Sequence, residues 1–209
     1  TQNPTVNNSV ATNSGSTPEF NVNMTGLTVN TIYYVRAYAI TDAGVAYGNE
    51  VRFNSGKTYG TEHAGGYVFH NDGNGGGLVA AKIDLSVSQW ISGGNTQTTL
   101  NSGTSIEFKT GLSNSRAIVA QNGHVASAAK LCLDYSDGTY SDWYLPSFVE
   151  LVNMWFRLHL RGIGNFTPFV YLSSSEEDAT KVYSVMFHQG SYAFAAKYLV
   201  GRVRAIRNF

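Results

Sequence analysis

The sequence predicts a mixed α+β protein in two parts. Residues 1–56 read as an incomplete all-β segment, and residues 57–209 as a larger domain of two helical segments plus antiparallel strands. Three observations carry this. Residues 19–54 alternate with period two, residues after Ser147 follow helical spacing behind a capping signal, and residues 169–207 break into short alternating runs.

In TIYYVRAYAI (31–40), Tyr33, Val35, Ala37 and Ala39 fall on one face and Tyr34, Arg36 and Tyr38 on the other. Period two in a run of aromatic and β-branched residues is a half-buried strand. FNVNM (20–24) and NEVRF (49–53) behave similarly, with turn chemistry at Gly26-Leu27, Asn30-Thr31 and Asp42-Ala43-Gly44 between them. The expectation is a three-stranded antiparallel piece. The stretch GLTVNTIYYVRAYAITDAGVAYGNEVRF (26–53) resembles the last three strands of a fibronectin type III domain. Leu27 followed by Tyr33 is similar to its tyrosine corner, where a hydroxyl ties back to backbone. A complete module of that kind has about seven strands and about 100 residues. Either earlier strands are cut away, or residues 1–18 fold back over the sheet; an open edge is a liability, so a partner is expected there. The opening TQNPTVNNSV does not look like a natural start, so a leader and upstream sequence are expected before it.

From Gly56 the pattern changes. GGYVFHNDGNGGGLVAAKI (65–83) predicts a hairpin with strands at 65–70 and 77–82, joined by a Gly/Asn/Asp turn. A polar stretch follows to residue 110, with Trp90 as its large anchor. SNSRAIVAQNG (113–123) and HVASAAKLCLDY (124–135) are two short helical runs parted at Asn122-Gly123. Next comes SDWYLPSFVEL (141–151). Ser147 and Glu150 stand at the S-x-x-E spacing of a capping box, and Pro146 fixes the chain just before it. Phe148, Leu151, Val152, Trp155 and Leu158 then form one apolar helix face, and Gly162 stops the helix. Trp143 is expected in the core beside this strand-to-helix corner. FVYLSS (169–174), KVYSVMFH (181–188), SYAFAAKYL (191–199) and RVRAIR (202–207) read as four strands.

Composition excludes some functions. Lys plus Arg and Asp plus Glu are 14 each, so the net charge is zero, which argues against a nucleic-acid or anionic-membrane surface. No apolar run approaches the roughly 20 residues of a membrane span. Charged residues are only 13% of the chain, replaced by Gly, Asn, Ser, Thr and Tyr, a composition that suits extracellular β-rich modules with many turns. The single Cys132 excludes an internal disulfide.

The run AAKLCLDYSDGTYSDWYLPSFVEL (128–151), then YLSSSE (171–176), then the ending RVRAIRNF (202–209), resembles a bacterial domain family. It is similar to the C-terminal domain of collagen-like bacterial adhesins (Lcl), and more distantly to the formylglycine-generating-enzyme branch of the C-type-lectin fold. The family's motifs read A-A-K-L-C, S-D-W-x-L-P-S, W-S-S-S-E and V-R-A-x-R; Leu172 departs from the Trp usual before the serines. The resemblance covers about residues 60–209. It implies a C-type-lectin-like domain whose first and last strands pair, with GGYVFH and RVRAIR as the candidates, and a place on the bacterial cell surface or outside it, with a lipid anchor on a missing N-terminus as one means of attachment. The related oxygen-dependent enzymes use reactive cysteines. Cys132 lies in a helical run on its apolar side, where an inert thiol is expected, so no enzyme activity is expected.

Candidate ligand contacts are Trp90, Tyr144, Glu176, His188 and Tyr192, on or beside the loop-bearing stretches 90–110, after 169–173 and after 182–188. Tyr33, Trp143, Pro146, Ser147, Glu150 and Trp155 are read as structural. Tyr135, Tyr140, Phe194 and Tyr198 extend the aromatic set, half of which alternation assigns to the core. SSSEEDAT (173–180) clusters hydroxyls and carboxylates that could hold Ca²⁺, but the simpler reading is a capped turn. The sugar signatures Glu-Pro-Asn, Gln-Pro-Asp and Trp-Asn-Asp are absent, the five His are scattered, and no metal or cofactor is expected. The expected function is recognition or adhesion, with a glycan or a host or matrix polymer as partner and the fibronectin-like part as spacer. The alternative is a structural or assembly subunit that binds other protein chains.

Overall fold

The structure, a computed structural model, describes residues 1–12, 21–93 and 104–209. These form two compact units. The first is Thr1–Thr58 with Asn71–Gly76, and the second is Tyr59–His70 with Gly77–Phe209. The architecture is mostly antiparallel sheet with a few short helices, a mixed α+β protein.

In the first unit the alternating stretches become β1 (Ile32–Thr41) and β2 (Gly44–Asn54), an antiparallel hairpin whose ladder shifts between Arg36 and Tyr38. Tyr33 stacks on Phe53 with ring centroids 5.8 Å apart, a cross-strand pair of the kind that holds sheets together. The backbone N–H of Thr28 donates to the Tyr33 hydroxyl at 2.7 Å, a tie-back over five residues. The third strand expected at 20–24 is a correction. Residues 21–24 are irregular, and Phe20 lies outside the described residues. Asn21 and Asn23 are poor strand formers. Residues 3–6 do return to the hairpin: Asn3 N–H donates to the Glu50 carboxylate and Val6 N–H to the Tyr47 hydroxyl.

The second unit opens with β3 (Glu62–His63), β4 (Gly66–Asn71) and β5 (Gly77–Ala81), then the two-residue strands β6 (Ser88–Gln89) and β7 (Ile91–Ser92). Helix α1 (Gly111–Ala120), β8 (Ala126–Ser127), α2 (Ala128–Leu133) and α3 (Phe148–Arg157) follow. The chain ends with β9 (Val170–Glu176), β10 (Lys181–Met186), β11 (Ser191–Ala196), β12 (Val200–Gly201) and β13 (Ile206–Asn208). Two main sheets result, ordered β13-β5-β4-β3 and β11-β10-β9.

The last strand does pair with the opening hairpin, but with its second arm. Ile206 faces Ala80 and Asn208 faces Leu78, and Phe209 and Gly77 exchange backbone hydrogen bonds. The expected partner GGYVFH already has both edges occupied, by β3 on one side and β5 on the other. All five residues of β5, GLVAA, are buried, as expected of a strand covered on both faces. RVRAIR is also not one strand: only Ile206 and Arg207 of it lie in β13. Its Arg204 and Arg207 are internal. Arg204 Nε donates to Asp84 at 2.7 Å and its guanidinium lies 4.1 Å from the Phe166 ring. Arg207 Nε reaches Asp142 at 2.6 Å with the Tyr140 ring 3.9 Å below.

The strand-to-helix corner is built from its caps. Glu150 N–H donates to Ser147 Oγ, and Ser147 N–H donates to Glu150 Oε2 at 2.8 Å, so both arms of the capping box are present. Glu150 also accepts from Lys109 N–H at 3.1 Å. Burial pushes its carboxyl pKa up, and these backbone donors pull it back. Trp143, Leu145 and Pro146 are buried beside it. Leu151, Met154 and Leu158 form the buried face of α3, flanked by half-buried Phe148, Val152 and Trp155. Gly162 ends the following turn in the left-handed conformation (φ 69°).

Candidate functional site

The middle and edge strands of the β11-β10-β9 sheet carry an aromatic surface. Alternation in β11 puts Tyr192 and Phe194 on one face and Ala193 and Ala195 on the other. Tyr192 is 63%, Phe194 55% and the following Tyr198 57% exposed. Phe194 sits opposite Tyr183 of β10, ring centroids 5.3 Å apart. Phe148, at the start of α3, bridges the set, 5.0 Å from Tyr183 and 4.9 Å from Tyr192. Four rings are thus in series, and among the described residues no strand pairs with the outer edge of β11.

This surface rests on a fixed frame. The β10–β11 turn is closed by Gly190 N–H donating to Met186 O at 2.8 Å. Gly190 has φ 67°, and a side chain there would overlap the Trp155 ring. Trp155 Nε1 donates to Phe187 O at 2.9 Å. The bulky indole on the helix needs a residue without Cβ above it, and Gly adopts that φ without strain.

The other candidate residues fall in different places. Trp90 is fully buried, its indole N–H donating to Ser173 O at 2.8 Å. Tyr144 is buried in a two-way backbone bridge with Ile206, both bonds 2.9 Å, and burial raises its hydroxyl pKa. The Glu176 side chain is 1% exposed and paired with Lys197, itself 0% exposed. All three side chains are buried, unlike His188 and Tyr192. The physical reason is shared: each large or charged side chain found its partner in distant sequence and went inside with it. His188 is exposed in the turn after β10, and Tyr192 is on the aromatic surface. Of the wider aromatic set, Tyr135 and Tyr140 are half-buried against the core and Phe194 and Tyr198 are exposed. Tyr183 and Phe148 were not singled out by the sequence. Tyr183 alternates within KVYSVM, a signal that was present, whereas Phe148 reads as ordinary helix core.

SSSEEDAT divides. Ser173, Ser174 and Ser175 belong to β9 and are buried. Ser173 Oγ donates to Tyr183 O and Ser175 Oγ to Ser105 O, each at 2.7 Å, and Ser174 Oγ accepts from Asn114 Nδ2 at 3.1 Å. Asp178 then caps the turn, accepting from Thr180 N–H at 2.7 Å and Lys181 N–H at 2.8 Å, which holds its carboxyl below the usual range. Among the described residues no group of three or more His, Cys, Asp or Glu is placed to hold a metal ion. Burial raises the Cys132 thiol pKa far above neutrality. His124 lies 3.0 Å from Ser127 Oγ, but that oxygen is committed to capping α2 through Lys130 N–H. A separate groove of about 360 Å³ is lined by Ile83, Asp84, Leu85, Ser86, Leu131, Asp134 and Tyr135. No described helix is long and apolar enough to cross a membrane.

No protein-family model matches the chain, and no curated protein matches it. Among solved structures, a fimbrial protein from Bacteroides ovatus is similar at 18% sequence identity and a TM-score of 0.42, over 62% of this chain. The chain spans 35% of that protein's length.

Proposed function

We propose that the chain is a non-enzymatic bacterial cell-surface module for binding and adhesion, and that the aromatic surface of β10 and β11 is its contact face. One observation carries the reading. Tyr192 and Phe194 stand more than half exposed, backed by Tyr183 and Phe148 in a continuous series of rings. Folded chains do not leave such contiguous apolar surface in water without a use. Aromatic faces stack on the apolar faces of sugar rings and serve as anchors in protein contacts. The partner is a glycan or a host or matrix polymer, bound without metal. Return of the terminal strand β13 to the opening hairpin supports a C-type-lectin-like second domain, and the Tyr33 tie-back supports a fibronectin type III-like first one acting as spacer. The setting is extracellular or at the bacterial surface, where a lipid on an upstream segment would serve as anchor.

The test is binding of the full chain to a glycan and glycosaminoglycan array, with Ca²⁺ and with chelator, beside the double variant Tyr192→Ala/Phe194→Ala. Saturable binding that survives chelator and is lost in the variant is the expected result. Binding that needs Ca²⁺ overturns the metal-free site, and no binding at all sinks the glycan reading.

A specific observation favours a second reading, a structural or assembly subunit. The edge strand SYAFAA carries no charge, no Pro and no bulge on its ladder with β10, the devices that normally blunt an open edge. An extended strand from another protein chain would add there. Mass in solution that rises with concentration and falls to monomer in Ala196→Pro, whose N–H is turned away from β10 by alternation, would favour it over the first.

A further inference from the structure

The pair Lys197 and Glu176 does something that neither a surface contact nor the reading above requires. Glu176 ends β9 and Lys197 follows β11, the two outer strands of one sheet. Their side chains meet across β10, 21 residues apart in sequence. Both are out of water, at 0% and 1% exposure. Lys197 Nζ is hydrogen-bonded to Glu176 Oε1, and the Trp90 ring covers Nζ at 5.0 Å. The other carboxylate oxygen accepts from Thr104 Oγ1 at 3.0 Å. So an amine nitrogen is held on a carboxyl group by a fixed frame, under an aromatic cover.

We propose that Lys197 and Glu176 are the site of an intramolecular isopeptide bond. In the step, one proton of the Lys197 ammonium passes along the hydrogen bond to Glu176 Oε1, giving an amine nitrogen beside the carboxyl carbon. The Nζ lone pair attacks Cδ, and the N–C bond forms. The C–O bond to the acid hydroxyl breaks, and that hydroxyl leaves as water with a proton from nitrogen. No oxidation occurs and no co-reactant is consumed. The Thr104 hydroxyl polarises the oxygen that remains. Held geometry replaces a bimolecular encounter, an advantage that reaches about 10⁵ M or more in effective concentration. The product amide removes two buried charges and staples the outer strands beneath the aromatic surface. Trp90, which excludes water, protects it from hydrolysis.

Intact mass of the purified full chain, with peptide mapping, decides. The expected mass is one water below that of the sequence, with a branched peptide joining the segments that carry Glu176 and Lys197. In Lys197→Arg, which keeps the charge but not the amine, the full mass returns. A wild-type chain at full mass with both residues in linear peptides, after prolonged incubation at neutral pH, overturns the proposal. So does a lost water that maps to any other pair of residues. The wild-type measurement stands alone if that variant fails to fold.

Discussion

The strands β2 (GVAYGNEVRFN) and β5 (GLVAA) both open on Gly followed by apolar and small residues, yet they have opposite fates. In β5 every residue is buried. In the β1–β2 hairpin Ile40 is 69% and Val51 57% exposed, and among the described residues of the first unit no hydrophobic side chain is buried. The second unit has two clusters of buried side chains, around Trp90 and Trp143 and around Leu151 and Tyr171. The hairpin therefore stands on cross-strand pairs, worth about 0.2–1 kcal/mol each, while the second unit stands on burial, worth about 1.5–3 kcal/mol for each large apolar side chain. Local pattern specifies a strand in both; only tertiary partners decide what the strand is worth.

A pair of substitutions breaks that comparison most sharply. Trp143→Ala removes a fully buried indole and its N–H bond to Tyr140 O, and should cost about 3–5 kcal/mol. Val51→Ala in the exposed hairpin should stay within about 0.5 kcal/mol. Urea unfolding followed by tryptophan fluorescence reads the first, because all three tryptophans lie in the second unit, and hydrogen exchange of the β1–β2 amides reads the second. Equal effects would mean that the hairpin is also stabilised by burial, against the exposures above.

The same contrast explains what the sequence could reveal. The capping box at Ser147 and Glu150, the hairpin at 66–81 and the alternation of β1 depend on residues within a few positions of each other, and all are legible. Tyr144 and Tyr192 are both tyrosines in extended stretches, and alternation names two faces without saying which one a second layer will cover. Trp90 in its polar stretch and Glu176 among serines look like surface. They went inside because Ser173 and Lys197 receive them, and no local pattern announces a partner at that distance. The pairing of β13 with β5 rather than β4 fails for the same reason, since it depends on β3 having taken the free edge of β4.

The aromatic surface borrows its order from the buried side, and Gly190→Ala should expose that dependence. The added methyl meets the Trp155 ring, and the backbone there is left-handed. A cost of about 1–3 kcal/mol is expected. Binding through Tyr192 should weaken with it, although the change is not on the contact face. Retained binding with lost stability would separate the surface from its frame.

Acid sharpens the comparison within the second unit. The Arg207 guanidinium bonded to Asp142 holds that carboxyl below its usual range. Its folded value is depressed, so its contribution is present above a pH of about 4 and is lost as pH falls through the folded value. Asp142 is 60% exposed at its side chain, so screening limits the gain to under about 1 kcal/mol. Glu150 has the opposite sign. Burial raises its folded value, so its contribution is present at low pH and is lost as pH rises through that value. Asp142→Asn should therefore lie below wild type at pH 7 and converge with it near pH 3, as read by thermal unfolding. A gap that persists in acid would assign the loss to packing on Tyr140 instead.

The smallest effect belongs to the first unit. Tyr33→Phe keeps the ring stacked on Phe53 and deletes only the hydroxyl that accepts from Thr28 N–H. Because that bond lies near water, its loss should cost about 0.5–1 kcal/mol. The cost should appear in the hydrogen exchange of the β1–β2 amides and leave the tryptophan-monitored transition where it was. Thr28 N–H should exchange faster than any other amide affected. If instead the tryptophan transition moves as far as the hairpin amides do, the two units unfold together, and the hairpin draws on stability that its own cross-strand pairs do not supply.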